Sequence, residues 1–115
     1  MSIADRIEAV LSTSAVPFYD VPPDFGRNDP PQSYIIYEYG SGKGYSYGDG
    51  KAELIQYLVT LNVFTPKPDF ALYERLRSAM EAAGFGYDSE QRVFDDAFYP
   101  VGTHYCLDFS GVQER

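Results

Sequence analysis

At 115 residues, with 44% hydrophobic and 23% charged residues, the chain has the length and composition of one soluble globular domain, not of a disordered segment. A net charge of −8, from 17 acidic against 9 basic residues, argues against gripping a nucleic-acid backbone, which needs clustered Lys and Arg. An acidic wall would instead let DNA slide past. No apolar run approaches the ~18 residues that span a bilayer. The opening Met1-Ser-Ile-Ala-Asp-Arg-Ile-Glu8 carries acidic residues and no long apolar stretch, so it does not read as a signal peptide. One cysteine, Cys106, rules out an internal disulfide framework and suits a reducing cytoplasm.

Ser2 followed by Asp5 reads as a capping-box start, after which Ile3, Ile7, Val10 and Leu11 fall on one helical face. That helix is expected to end near Ser12 to Ser14. Val16-Pro-Phe-Tyr-Asp-Val21 is a short extended stretch that Pro17 confines to an edge or a strand start. Residues 22–31, with Pro22, Pro23, Pro30 and Pro31, form an irregular loop. Two strand-like runs follow, Ser33-Tyr-Ile-Ile-Tyr-Glu-Tyr39 and Glu53-Leu-Ile-Gln-Tyr-Leu-Val-Thr-Leu-Asn-Val-Phe-Thr65. In the second run Ile55, Tyr57, Val59, Leu61 and Val63 face one way, while Leu54, Gln56, Leu58, Thr60, Asn62 and Phe64 face the other.

Between the runs lies Gly40-Ser-Gly-Lys-Gly-Tyr-Ser-Tyr-Gly-Asp-Gly-Lys51, which reads as a loop of about a dozen residues, far longer than most hairpin turns. Its glycines give it high conformational freedom. Pro66 and Pro68 stop the second strand, and Asp69 caps a helix whose Leu72, Leu76, Ala79, Met80 and Ala83 recur at helical spacing. Gly84 sits where a left-handed C-terminal residue is expected. Two last strands are expected near residues 91–95 and 103–109. The order predicts an α+β two-layer sandwich in one domain, 1–115: a mainly antiparallel β-sheet of four to five strands with two helices packed on one face.

Four patterns invite a chemical reading. Gly40-Ser-Gly-Lys-Gly44 suggests a phosphate loop, but Tyr37 and Gly44 stand where a glycine and a Ser or Thr are needed, and no helix follows. His104, Cys106 and Asp108 alternate on a predicted strand and so share a face. A Cys–His pair can make a nucleophile, yet a catalytic dyad normally joins separate segments, and one His with one Cys cannot close a four-ligand zinc site. The structural reading, a small buried Cys on a strand face, is preferred. Asp95 with Asp96, and Asp49 with Glu53, lack metal-loop spacing and read as solvated acids. No catalytic constellation emerges, so no enzyme, cofactor or metal is expected.

With 11 Tyr, 8 Phe and no Trp, the chain favours residues that suit both strands and protein interfaces. Taken together, Pro31-Gln-Ser-Tyr-Ile-Ile-Tyr37, Val59-Thr-Leu-Asn-Val-Phe-Thr65 and Met80-Glu-Ala-Ala-Gly-Phe85, in this order of elements, resemble the small tail-completion (tail-terminator) proteins of long-tailed bacteriophages. The likeness covers nearly the whole chain as a pattern of elements and carries no signature motif. It implies a ring, commonly a hexamer, that caps the tail tube and ends its polymerisation. The ring would join the tail to the head connector or head-completion protein, and DNA would pass through its lumen unbound. It implies a place in the tail-neck region of a virion, assembled in the host cytoplasm, with no membrane. Contact surfaces would map to residues 22–31, 40–51 and 95–102, with Tyr45 and Tyr47 as anchors and Lys43 and Lys51 pairing acidic partners. A different neck component, either a head-completion or connector protein, is the nearest alternative, followed by a cytoplasmic interaction domain unrelated to phage.

Overall fold

The structure, a computed structural model, describes residues 2–21, 32–48, 50–93 and 102–114, with 41–48 and 51–53 described by their backbone alone. The chain runs α1 (Ile3–Leu11), β1 (Phe18–Tyr19), β2 (Tyr34–Gly48), β3 (Lys51–Thr65), α2 (Phe70–Ala82), β4 (Gly86–Val93) and β5 (Thr103–Glu114). The strands form one five-stranded sheet in the order β1-β2-β3-β5-β4. Only the short β1–β2 pair is parallel. Both helices pack on one face, which is the expected α+β arrangement.

Local chemistry sets the helix ends. The Ser2 hydroxyl accepts from the Asp5 amide at 3.1 Å while the Asp5 carboxylate accepts from the Ser2 amide at 3.3 Å, closing the capping box. Asp69 caps α2 by accepting from the Leu72 amide at 3.1 Å. After α2 the chain reverses through Gly84 at φ +95°, and the Phe85 amide returns to the Met80 carbonyl at 3.0 Å.

The alternation anticipated for the long strand holds. Val59, Leu61 and Val63 of β3 meet Ile35 and Tyr37 of β2 and Leu107 and Phe109 of β5 under the helices, where Ile7, Leu11, Leu76 and Met80 complete the core. Fully burying each such Val, Leu or Ile stabilises the fold by about 1.5–3 kcal/mol. Phe64 and Asn62, of opposite parity, lie on the helix-free face.

Gly111 of β5 is a packing requirement. A Cβ there would stand 2.8 Å from two ring atoms of Phe85, which itself lies under the Arg6 guanidinium, 4.7 Å from ring centroid to Cζ. Gly111→Ala is therefore expected to cost about 1–3 kcal/mol by overpacking. Thermal unfolding of the variant checks this.

Three expectations need correcting. Residues 40–51 are not a loop. β2 and β3 continue as paired strands to Gly48↔Lys51, and Gly50, just before Lys51, takes the left-handed φ of +77°. A left-handed glycine suits the tight reversals that join antiparallel strands, so with Gly50 in that conformation the residues on either side pair instead of looping. The fourth strand starts at Gly86, five residues before the expected 91, because β5 offers a partner as far as Ser110. The last strand runs on to Glu114, since the extended β3 supplies partners out to Leu54. Residues 22–31, Asp49, Asp95 and Asp96 lie outside the described residues.

Candidate functional site

The hairpin of β2 and β3 is the dominant feature. Each strand has 15 residues, which at ~3.3 Å per residue is roughly 50 Å. That matches the 53 Å long dimension of a molecule 28 and 25 Å across. β5 accompanies the hairpin only to Glu114, opposite Leu54, so beyond that level the described strands form a two-stranded arm. An isolated two-stranded ribbon is marginal in water, and one built into a fold invites a partner.

All four residues singled out from the sequence lie on this arm, but as strand positions and not as loop residues. Tyr45 pairs with Leu54, Tyr47 with Ala52 and Lys51 with Gly48, while Lys43 falls in the irregularity between Ser41 and Gly44. Their backbone positions therefore follow one another along a ribbon.

The base of the arm carries apolar surface that the sequence reading did not single out. Leu58 is 55% exposed, Val112 47% and Tyr39 45%. Leu58 opposes Ser110 and Gln56 opposes Val112, so Leu58 and Val112 are diagonal neighbours on the helix-free face. On the helix-bearing face an aromatic stripe leads outward from the core: Phe18 to Tyr37 at 6.5 Å between ring centroids, Tyr37 to Tyr39 at 6.4 Å, and Tyr39 to Tyr57 at 6.4 Å. Tyr37 is anchored by donating to the Glu8 carboxylate at 2.5 Å. Burial, and then this bond to an anion, push its hydroxyl well above the ordinary tyrosine range. The signal for the exposed base was present in the even-numbered set Leu54, Gln56 and Leu58, which puts apolar residues on the face that no helix covers.

That face also holds a polar network with titratable members, centred on Asn62. The Asn62 amide donates to the Ile36 carbonyl at 3.1 Å and to the Glu38 carboxylate at 3.0 Å. Two acceptors on that side fix the amide orientation, so Asn62 Oδ1 receives Cys106 Sγ–H at 3.2 Å and His104 Nε2–H at 2.9 Å. His104, Cys106 and Asp108 do share a face, as the alternation implied. They do not form a nucleophilic pair. His104 Nε2 lies 3.5 Å from the sulfur but donates its proton to Asn62, and so has no lone pair to offer the thiol. Burial first, then the Asp108 and Glu38 carboxylates, push the Cys106 thiol up to about 11.

The folded thiol thus holds its proton beyond the ordinary value of 9.0, and its contribution is intact below about pH 9 and lost as the pH rises through about 11. Ellman's reagent at pH 8 is expected to leave Cys106 unlabelled in the folded protein and to label it fully in denaturant. Rapid labelling of the folded chain would contradict this account.

Elsewhere on the face, Thr60 donates to Asp108 at 2.7 Å. Among the described residues no group of three or more His, Cys, Asp or Glu is placed to hold a metal ion. None of the described helices is long and apolar enough to cross a membrane. Compared with known proteins, the chain matches no family model and no curated protein.

Proposed function

We propose that the chain is a structural protein of a long-tailed bacteriophage that forms a ring on the end of the tail tube. The ring ends tube polymerisation and joins the tail to the head connector, with DNA passing through its lumen. The observation that carries this reading is the arm: a long hairpin standing off a small α+β body, with exposed Leu58, Val112 and Tyr39 at its base. Exposed apolar and aromatic side chains at the base of a projection suit docking, not turnover. The resemblance to tail-completion proteins in residues 31–37, 59–65 and 80–85 points the same way. The net charge of −8 suits a channel that DNA must traverse without being held.

A repeated heterologous contact closes into a ring when its rotation closes. The arm supplies one partner of such a contact, and Tyr45 and Tyr47, with Lys43 and Lys51, supply side chains for the tail-tube or connector surface. Electron microscopy of the purified chain added to assembling tail tubes tests the reading. Tubes of bounded length with a ring at one end are expected. Tubes that grow unchecked and carry no ring contradict it, and a twelvefold ring that binds heads in place of tubes would shift the assignment to the connector.

A further inference from the structure

β5 outruns β4 by residues 111–114, so beyond Ser110 it has no described strand on its outer side. There Val112 gives its carbonyl to Arg6 Nη1 at 2.9 Å. In an antiparallel ladder the N–H and C=O of one residue face the same side, so the backbone of Val112 is turned away from β3. Beside this edge, between α1 and α2, runs an open groove of about 830 Å³ lined by Arg6, Ala9, Ala79, Ala83, Val112 and Glu114 among others. Its alanines leave room for larger side chains from outside.

On the opposite edge of the same three strands the described partner is also short. β1 pairs with β2 only at Ile35 and Ile36, so from Tyr37 outward no described strand flanks β2. Register sets the two open edges at one height. Ser41 pairs with Tyr57, which pairs with Gly111, while Tyr45 pairs with Leu54, which pairs with Glu114. Proteins guard exposed edges with charge, proline or bulges. Between Gly40 and Gly48 the strand carries no proline and one charge, Lys43, and residues 111–114 carry one charge of opposite sign, Glu114.

We propose that residues 41–45 of β2 in one copy add to residues 111–114 of β5 in a second copy, extending the sheet from molecule to molecule beside the alanine groove. β2 and β5 both run antiparallel to β3, so they point the same way. Rotation about an axis along the strands preserves that direction, and the added pair is parallel. Lys43 and Glu114 then lie near one another across the junction, and like edges, which would bring like charges together, are disfavoured. The contact needs only two copies, while its closure into a ring rests on the function proposed above.

Cysteine pairing tests it on the full chain. Within one molecule Tyr45 and Glu114 flank Leu54 on opposite sides, two strand spacings or about 10 Å apart, too far for a disulfide. The Tyr45→Cys/Glu114→Cys variant is expected to give a ladder of covalent multimers on mild oxidation. Each single variant places no second cysteine across the junction and should stay monomeric on the same oxidation, and buried Cys106 should stay out of the exchange. A second variant, Val112→Pro, removes an amide that faces the open edge, so the fold should persist with an unchanged thermal midpoint while self-association falls roughly tenfold or more. Rings seen by electron microscopy with no 45–114 ladder overturn the contact and leave the ring. A ladder carried by open filaments supports the contact and overturns the ring. A chain that stays monomeric at every concentration overturns both.

Discussion

Removing residues 42–56 and closing Ser41 onto Tyr57 with an Asn-Gly turn is expected to leave a folded protein that no longer self-associates. Register dictates these limits. Ser41 and Tyr57 are the last regular pair before the irregularity at 41–44, so the cut falls on a pair in direct register and keeps every remaining side chain on its face. A cut of 42–50 alone would leave residues 51–56 without their β2 partners and so keep an unpaired strand on the variant. The core residues Ile35, Tyr37, Val59, Leu61 and Val63 are all retained. The cost, from the lost partners of residues 112–114 and the half-buried Leu54 and Ile55, should stay near 1–2 kcal/mol. Association should weaken by more than about a hundredfold, because the arm carries one whole side of the proposed contact. Light scattering over a concentration series, alongside thermal unfolding, reads both effects. An arm-shortened chain that still assembles would remove the arm from the account.

The second large effect is expected at Asn62. It is 9% exposed and links three strands, accepting from His104 and Cys106 of β5 and donating to Ile36 and Glu38 of β2. Asn62→Ala strands the thiol and the imidazole Nε2–H together, while the Ile36 carbonyl, which faces β3, keeps its place in the strand ladder. Each buried group left without a partner costs about 1–3 kcal/mol, so a total near 3 kcal/mol is expected after relaxation. For a chain of this length that lowers Tm by roughly 12 °C. Cys106→Ala leaves Asn62 bonded to His104 and should cost under about 1 kcal/mol. Equal losses in the two variants, read by thermal unfolding, would mean that Asn62 is not the hub.

The elements legible in the sequence were those whose local pattern and tertiary setting agree. Ser2 with Asp5, Asp69 and Gly84 mark the helix ends through side-chain and backbone chemistry that needs no distant partner. The alternation in β3 separated the core set from the helix-free set because one face of the sheet is buried and the other is not. What misled was the arm. Five glycines between 40 and 50 lower strand propensity, yet the Asp-Gly dipeptide ahead of Lys51 is a hairpin signal strong enough to carry the pairing through them.

The candidate site was legible by position and not by form. Tyr45, Tyr47, Lys43 and Lys51 were placed on a projection between two firm strands, and the projection proves to be those strands continued. The exposed base was legible only in part: alternation put Leu58 on the helix-free face, but its exposure and that of Val112 depend on where β4 ends relative to β5, a fact of register between segments far apart in sequence. The Asn62 network escaped notice for the same reason: its four partners come from two strands that flank β3 only after folding.

The central claim is that this chain assembles into a closed ring through its arm. Native mass measurement of the purified full-length protein, with electron microscopy of the same sample, tests it most directly. The account predicts a closed species of about six chains with a central channel, absent when residues 42–56 are removed. A single chain that stays monomeric up to high concentration, with its arm intact, would contradict it.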